Sequence, residues 1–187
     1  MPKTKSLYGV HRSVAMVQNW RDTLKDKTGR SLDEWRVLVR KSGPKSEKER
    51  RDWLREKHGL GTFSAMMLLD HVDTGTSDLD SDESYLAAAD RYVEDMFAGP
   101  KAALRPIYEA LLDLGLAIGP AVKACPCKTI VPLYRNHVFA QIKPTTRTRI
   151  DMGFAIGALP AEGRLIDTGG YAKKDRITHR IPISSLD

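Results

Sequence analysis

The chain has 187 residues, 41% of them apolar, with 14 glycines, 10 prolines, two cysteines and a net charge of +6. That is apolar material enough for a core, so wholesale disorder, a collagen-like fibre and a disulfide-stapled secreted scaffold are all excluded. No run approaches the roughly 20 apolar residues of a membrane helix, and the basic start Met1–Lys5 is followed by no apolar segment of the kind a secretory signal needs, so a cytoplasmic protein is expected.

Residues 1–72 carry 16 Lys and Arg against 9 Asp and Glu, and their spacing predicts four short helices. From Ser13 to Lys25, the residues Val14, Val17, Trp20 (or Arg21) and Leu24 form one apolar stripe, which Thr28-Gly29 stops. Ser31-Leu32-Asp33-Glu34 is a capping box, and the helix it opens buries Leu32, Trp35, Leu38 and Val39 before Ser42-Gly43-Pro44. A second box, Ser46-Glu47-Lys48-Glu49, opens a charged helix to about His58 with Trp53 and Leu54 inward. After the turn Gly59-Leu60-Gly61, Thr62 precedes a last helix from Phe63 to about Val72.

Residues 73–82 read as an acidic linker, because small polar and acidic residues do not build a core. Within 73–99 one Arg faces 8 acids, whereas 100–187 returns to 13 basic residues against 7 acidic. Helices are predicted at about Glu83–Phe97 and Ala102–Leu114, with Pro106 in the first turn of the latter and Gly115 as its stop. Beyond Gly119-Pro120 the period changes to 2, predicting strands at Thr129–Tyr134, His137–Lys143, Arg147–Ile156, Arg164–Thr168 and Arg176–Ile183. Short connections favour antiparallel pairing. The expected fold class is α+β: 1–72 a four-helix domain, 73–82 an acidic linker, and 83–187 two helices packed on a mainly antiparallel sheet. The final Ser184-Ser185-Leu186-Asp187 reads as the cap of a helix that does not follow, as if the end were trimmed.

Two features point to anion binding. Gly59-Leu60-Gly61-Thr62-Phe63-Ser64-Ala65 resembles a helix-hairpin-helix turn: glycines admit a phosphate close to the backbone, and amides at the next helix start donate to it. Arg55 and Lys57 stand just before it. The same residues also fit an ordinary hairpin with Gly59 as C-cap and Thr62 as N-cap. On the sheet, alternation places Arg147, Arg149, Asp151 and Gly153 on one face. Arg176, Thr178 and Arg180 form a second polar row, with Lys143, Thr145, Thr146, Lys173 and Lys174 nearby. As neighbours these rows make a basic surface for phosphate or carboxylate; alone, they are solvated Arg–Asp pairs.

Cys125-Pro126-Cys127 lacks the spacing of a zinc ribbon or a thioredoxin, and G-x-S-x-G, H-E-x-x-H and P-loop motifs are absent from the sequence. No catalytic residue, metal site or cofactor is therefore expected. The reading is a non-enzymatic protein that binds nucleic acid or another phosphate-bearing ligand without reading sequence. The alternative is a module for a small anion or a protein partner. A metal-dependent hydrolase would instead need Asp151, Asp167 and His137 or His179 clustered.

The stretches Val14–Trp20, Lys27–Trp35 and Gly59–Thr62 resemble the bacterial family of domains of unknown function DUF4287. Met96–Lys101, Val138–Pro144, Arg147–Asp151, Gly169-Gly170 and His179–Ile181 resemble the family DUF5655. The resemblance implies no agreed activity or substrate. Domains similar to the second occur fused to restriction-type or helicase-like proteins, an association that leans toward nucleic acid.

Overall fold

A computed structural model of the chain describes residues 6–186. They divide into two units: Arg12–Tyr85, and Leu86 onward together with the N-terminal stretch up to His11.

The first unit holds α1 (Ser13–Thr28), α2 (Leu32–Ser42), α3 (Glu47–Glu56) and α4 (Thr62–Thr74). The predicted stripe of α1 is buried, with Trp20 rather than Arg21 turned inward. Gly29 ends α1 in the left-handed region (φ 74°), and its N–H donates to the Lys25 carbonyl. The first capping box is complete: Ser31 Oγ accepts the Glu34 N–H, and the Glu34 carboxylate accepts the Ser31 N–H. Such a cap is worth about 1 kcal/mol. The second box is half formed. Ser46 Oγ accepts the Glu49 N–H but gives its own proton to the Glu49 carboxylate. Trp35, Val39, Leu54, Leu68 and Val72 close the core of this unit.

Residues 73–82 depart from their reading as a linker. α4 continues to Thr74, Ser77 is buried, and Leu79 packs on the helical core. The reason is polar rather than apolar. Asp80 accepts the Ser77 N–H (2.8 Å) and faces the buried His71 ring, whose Nε2 lies 2.8 Å away while Nδ1 meets the Met67 carbonyl. Arg21 completes the cluster 3.1 Å from the same carboxylate. Composition counts apolar area and misses an acid whose partners include side chains on two helices, His71 of α4 and Arg21 of α1.

Burial opposes ionisation of Asp80, but the Ser77 N–H, the His71 ring and Arg21 outweigh it and hold the carboxyl below its ordinary value. A depressed folded pKa gives stability that is present above the unfolded value near 3.8 and lost as pH falls through the folded one. Urea unfolding between pH 5 and pH 3 therefore shows a steeper loss of helical stability in the wild type than in Asp80→Asn. Equal acid sensitivity of the two proteins contradicts this assignment.

The second unit begins in α5 (Asp82–Met96), passes a 3-10 turn (Gly99–Leu104), and continues as α6 (Arg105–Ala117). Six strands follow: β1 (Lys123–Ala124), β2 (Val131–Tyr134), β3 (Val138–Pro144), β4 (Ile150–Phe154), β5 (Ile166–Asp167) and β6 (His179–Ile183). They form one antiparallel sheet in the order β1-β2-β3-β4-β6-β5. The fold class is α+β. Pro106 sits in the first turn of α6, where its missing N–H costs nothing.

Gly115 does not stop α6. It lies buried inside the helix, where an added Cβ would stand 2.5 Å from Leu133 Cδ1 of β2. Here glycine serves the close approach of helix to sheet, a use that sequence spacing does not separate from a stop.

Ala140, Ile142, Ile150 and Met152 bury one sheet face against Val93, Phe97, Leu104, Ile107, Tyr108 and Leu112. The stretch before His11 also belongs to this unit rather than to the helices. The Gly9 N–H donates to the Ala124 carbonyl (2.9 Å), Tyr8 and Tyr108 hydroxyls meet at 3.0 Å, and the Tyr134 hydroxyl lies 2.9 Å from His11 Nε2. These are long-range contacts, which local patterning does not carry.

Candidate anion-binding face

The face of the sheet opposite the helices presents Gln141 and Lys143 from β3, Asp151 and Gly153 from β4, and Arg180 from β6. The register puts Lys143 beside Asp151, and Gly153 between Gln141 and Arg180. Period-2 alternation dictates this, since Ile142, Ile150 and Met152 occupy the other face.

Asp151 is the hub. It is 8% exposed, and its carboxylate takes Arg180 Nη1 at 2.8 Å, Arg149 Nε at 3.0 Å and the Thr145 hydroxyl at 2.8 Å. Two guanidiniums on one carboxylate leave an excess of positive charge. Lys143, Asp151's neighbour across the strands, has no acidic partner among the described residues because the carboxylate is already claimed.

These groups line a groove of about 460 Å³ that also includes Thr168, Asp175, Arg176 and Ile177. Arg176 is exposed and likewise has no acidic partner among the described residues. It is delivered by the loop after β5. There the Gly169 N–H donates to Asp167 Oδ1, the Gly170 N–H to Thr168 Oγ1, and the Asp175 N–H to the Gly170 carbonyl (2.8 Å). Cations, hydroxyls and an amide on one concave surface are the donor set that a phosphate group needs, with Arg suited to two-pronged contact.

Of the six residues expected on this face, Lys143, Asp151, Arg176 and Arg180 line the groove. Arg149 adjoins it through Asp151. Arg147 does not join them. Pairing begins only at Ile150, and residues 145–149 form a turn closed by the Thr145 N–H on the Arg149 carbonyl (3.1 Å), so alternation no longer governs Arg147. Thr178 is not part of an exposed row either. It is 3% exposed, and its hydroxyl is engaged by the Ile156 N–H and faces the His179 ring at 2.9 Å. Thr168 and Gln141 also line the groove, and neither residue type signals a ligand by itself in the sequence.

The glycine turn lies in the helical unit. Gly59 adopts φ 67°, Leu60 is buried, and a Cβ on Gly59 or Gly61 would meet open space. The N-cap of α4 is Gly61 rather than Thr62. No side chain caps the helix, so the amides of its first turn are left to external acceptors. Arg55, Lys57 and Thr62 are exposed beside it.

Cys125 is buried, and that burial pushes its thiol up to about 11; Cys127 is raised for the same reason. Neither supplies a thiolate at neutral pH. Among the described residues no three His, Cys, Asp or Glu side chains gather in a form able to hold a metal ion.

A family model described as Domain of unknown function (DUF5655) matches residues 93–187, and one described as Domain of unknown function (DUF4287) matches residues 17–74. Searches of curated proteins and of solved structures gave no match.

Proposed function

For this chain, which belongs to the DUF5655 family and carries a DUF4287 segment ahead of it, we propose sequence-independent binding of the phosphate groups of nucleic acid. The observation that carries the reading is the groove on the open sheet face. Its exposed Lys143 and Arg176 have no acidic partner among the described residues, and Arg180, Thr145 and Thr168 stand beside them. The uncapped start of α4 after Gly59 and Gly61 supports the same ligand class in the helical unit. No aromatic ring lines the groove, so contacts run to phosphate rather than to stacked bases.

Binding of this kind releases counterions. Affinity for a labelled oligonucleotide, read by fluorescence anisotropy, falls steeply between about 50 and 200 mM salt. Lys143→Glu lowers it roughly tenfold at the low-salt end and reduces the salt slope by about one. Failure of the wild type to bind above a neutral-polymer control at low salt refutes the reading.

A small free anion is the second reading, favoured by the concave groove of about 460 Å³ in which Lys143 and Arg176 face the same space. It is distinguished by inorganic phosphate competing as well as an oligonucleotide does.

A further inference from the structure

A second concavity of about 550 Å³ lies in the same α+β unit. It is bounded by the end of α5 and the 3-10 turn on one side, and by the β1–β2 and β3–β4 turns on the other. Lys101, Lys128, Lys143 and Arg147 line it, with Thr129 and Thr145. Its single acid is Asp95.

Local structure fixes the cations. The Lys101 ammonium donates to the Pro144 carbonyl (2.7 Å) and so ties the 3-10 turn to the end of β3. Lys128 and Thr129 occupy the tip of a tight turn closed by the Cys127 N–H on the Ile130 carbonyl (2.8 Å). Arg147 tips the β3–β4 turn. Lys128 and Arg147 are exposed, and neither has an acidic partner among the described residues. Unpaired cations gathered in a concavity repel one another, and an anion relieves that repulsion.

Lys143 and Thr145 line both this cleft and the sheet-face groove, so the two adjoin at the end of β3. We propose that they are consecutive phosphate subsites of one track, which takes a single nucleic-acid strand through its backbone with no preference for base. Lys128 and Arg147 hold one phosphate, Arg176 and Arg180 another, and Lys143 bridges them. This deepens the function proposed above and rests on it. Each volume is of the size that holds one small ligand, which suits a strand of nucleotides rather than the side of a duplex. The lining of both is without an aromatic ring, hence the indifference to base.

The test uses the full chain, with inorganic phosphate, inorganic tripolyphosphate, and single-stranded oligothymidylate and oligoadenylate of one to about eight nucleotides as probes. The expected result is affinity that rises with length beyond the first nucleotide and is equal for the two bases. Lys128→Glu with Arg147→Glu lowers oligonucleotide affinity by roughly a factor of ten or more and removes the inorganic phosphate bound in the cleft while leaving the one bound at Arg176 and Arg180. Arg176→Glu weakens the oligonucleotide as well, and Asp95→Asn strengthens it. The milder Lys128→Gln weakens it in the same direction, and unaltered circular dichroism confirms each variant's fold.

An oligonucleotide that binds the wild type but ignores the Lys128 and Arg147 changes overturns the track and leaves the sheet-face reading standing. Binding that ignores Arg176→Glu but responds to the cleft variants also overturns the track. Tripolyphosphate binding tighter than the longest oligonucleotide makes a condensed phosphate the ligand and overturns the strand. No oligonucleotide binding at all removes both readings together.

Discussion

Asp151→Asn lowers the stability of the α+β unit and at the same time tightens its hold on phosphate. The carboxylate is nearly buried and pairs with both Arg149 and Arg180, which remain about one-third exposed. Removing one partner of a fully buried ion pair costs roughly 3–5 kcal/mol. Solvent reaches both guanidiniums here, so the expected cost is about 2 kcal/mol. Asparagine keeps an oxygen for the Thr145 hydroxyl, which holds the change to the charge. Freed of the carboxylate, the two guanidiniums turn to the ligand, and affinity for an oligonucleotide rises roughly tenfold at low salt, a gain that shrinks as salt is added. Thermal melts and anisotropy titrations on one preparation read both effects. If the variant is less stable and also binds more weakly, Asp151 belongs to the ligand contact itself, and its assignment as a structural ion-pair partner is wrong.

Gly170→Ala unfolds or displaces the loop that carries Arg176. Gly170 is buried, and a Cβ there would run into the Ile177 carbonyl oxygen well inside contact distance, with Thr178 Cα at 3.1 Å and Thr168 Oγ1 at 3.0 Å behind it. Two of these obstacles are backbone, so no rotamer change makes room. Overpacking costs typically 1–3 kcal/mol, and the rigidity of the obstacle places this case near 3 kcal/mol. The damage is local in origin: the Asp175 N–H loses its geometry on the Gly170 carbonyl, and Arg176 leaves the groove. Urea unfolding shows the stability loss. Oligonucleotide affinity falls, though less far than in the charge reversal Arg176→Glu, under conditions where the variant is still folded. Neighbouring Gly169 is restricted differently, by its left-handed φ of 69° with open space around it, so Gly169→Ala costs about 1 kcal/mol. A larger effect at 169 than at 170 contradicts the steric argument.

The helices were legible because their signals are local. The α1 stripe, the Ser31–Glu34 box and Pro106 in the first turn of α6 act within a few residues of one another, and the structure has each where spacing predicts it. The strands were legible as alternation, although Arg147–Ile156 shortened to Ile150–Phe154 because a turn took its first three residues. What escaped was long-range. Gly115 looked like a helix stop because its closest neighbour, Leu133, is 18 positions away. Arg147 and Arg149 looked equivalent, yet only Arg149 reaches Asp151. Lys101 and Lys128 carry no binding signal in the sequence, since their relation to Lys143 exists only once the 3-10 turn and two β-turns converge.

By itself the sequence determined that the chain is α+β, that it belongs to the DUF5655 family, and that its positive charge flanks an acidic centre, because period, caps and composition are properties of neighbours along the chain. Tertiary structure decided which charges cancel. Asp80 turned from a linker acid into the partner of His71 and Arg21. Asp151 took two arginines, leaving Lys143, Arg147, Arg176 and Lys128 without an acidic partner among the described residues. Coulomb attraction depends on distance in space, falling over a few ångströms. The net charge of +6 therefore fixes only the total; the pairing made by the fold decides where positive charge remains exposed.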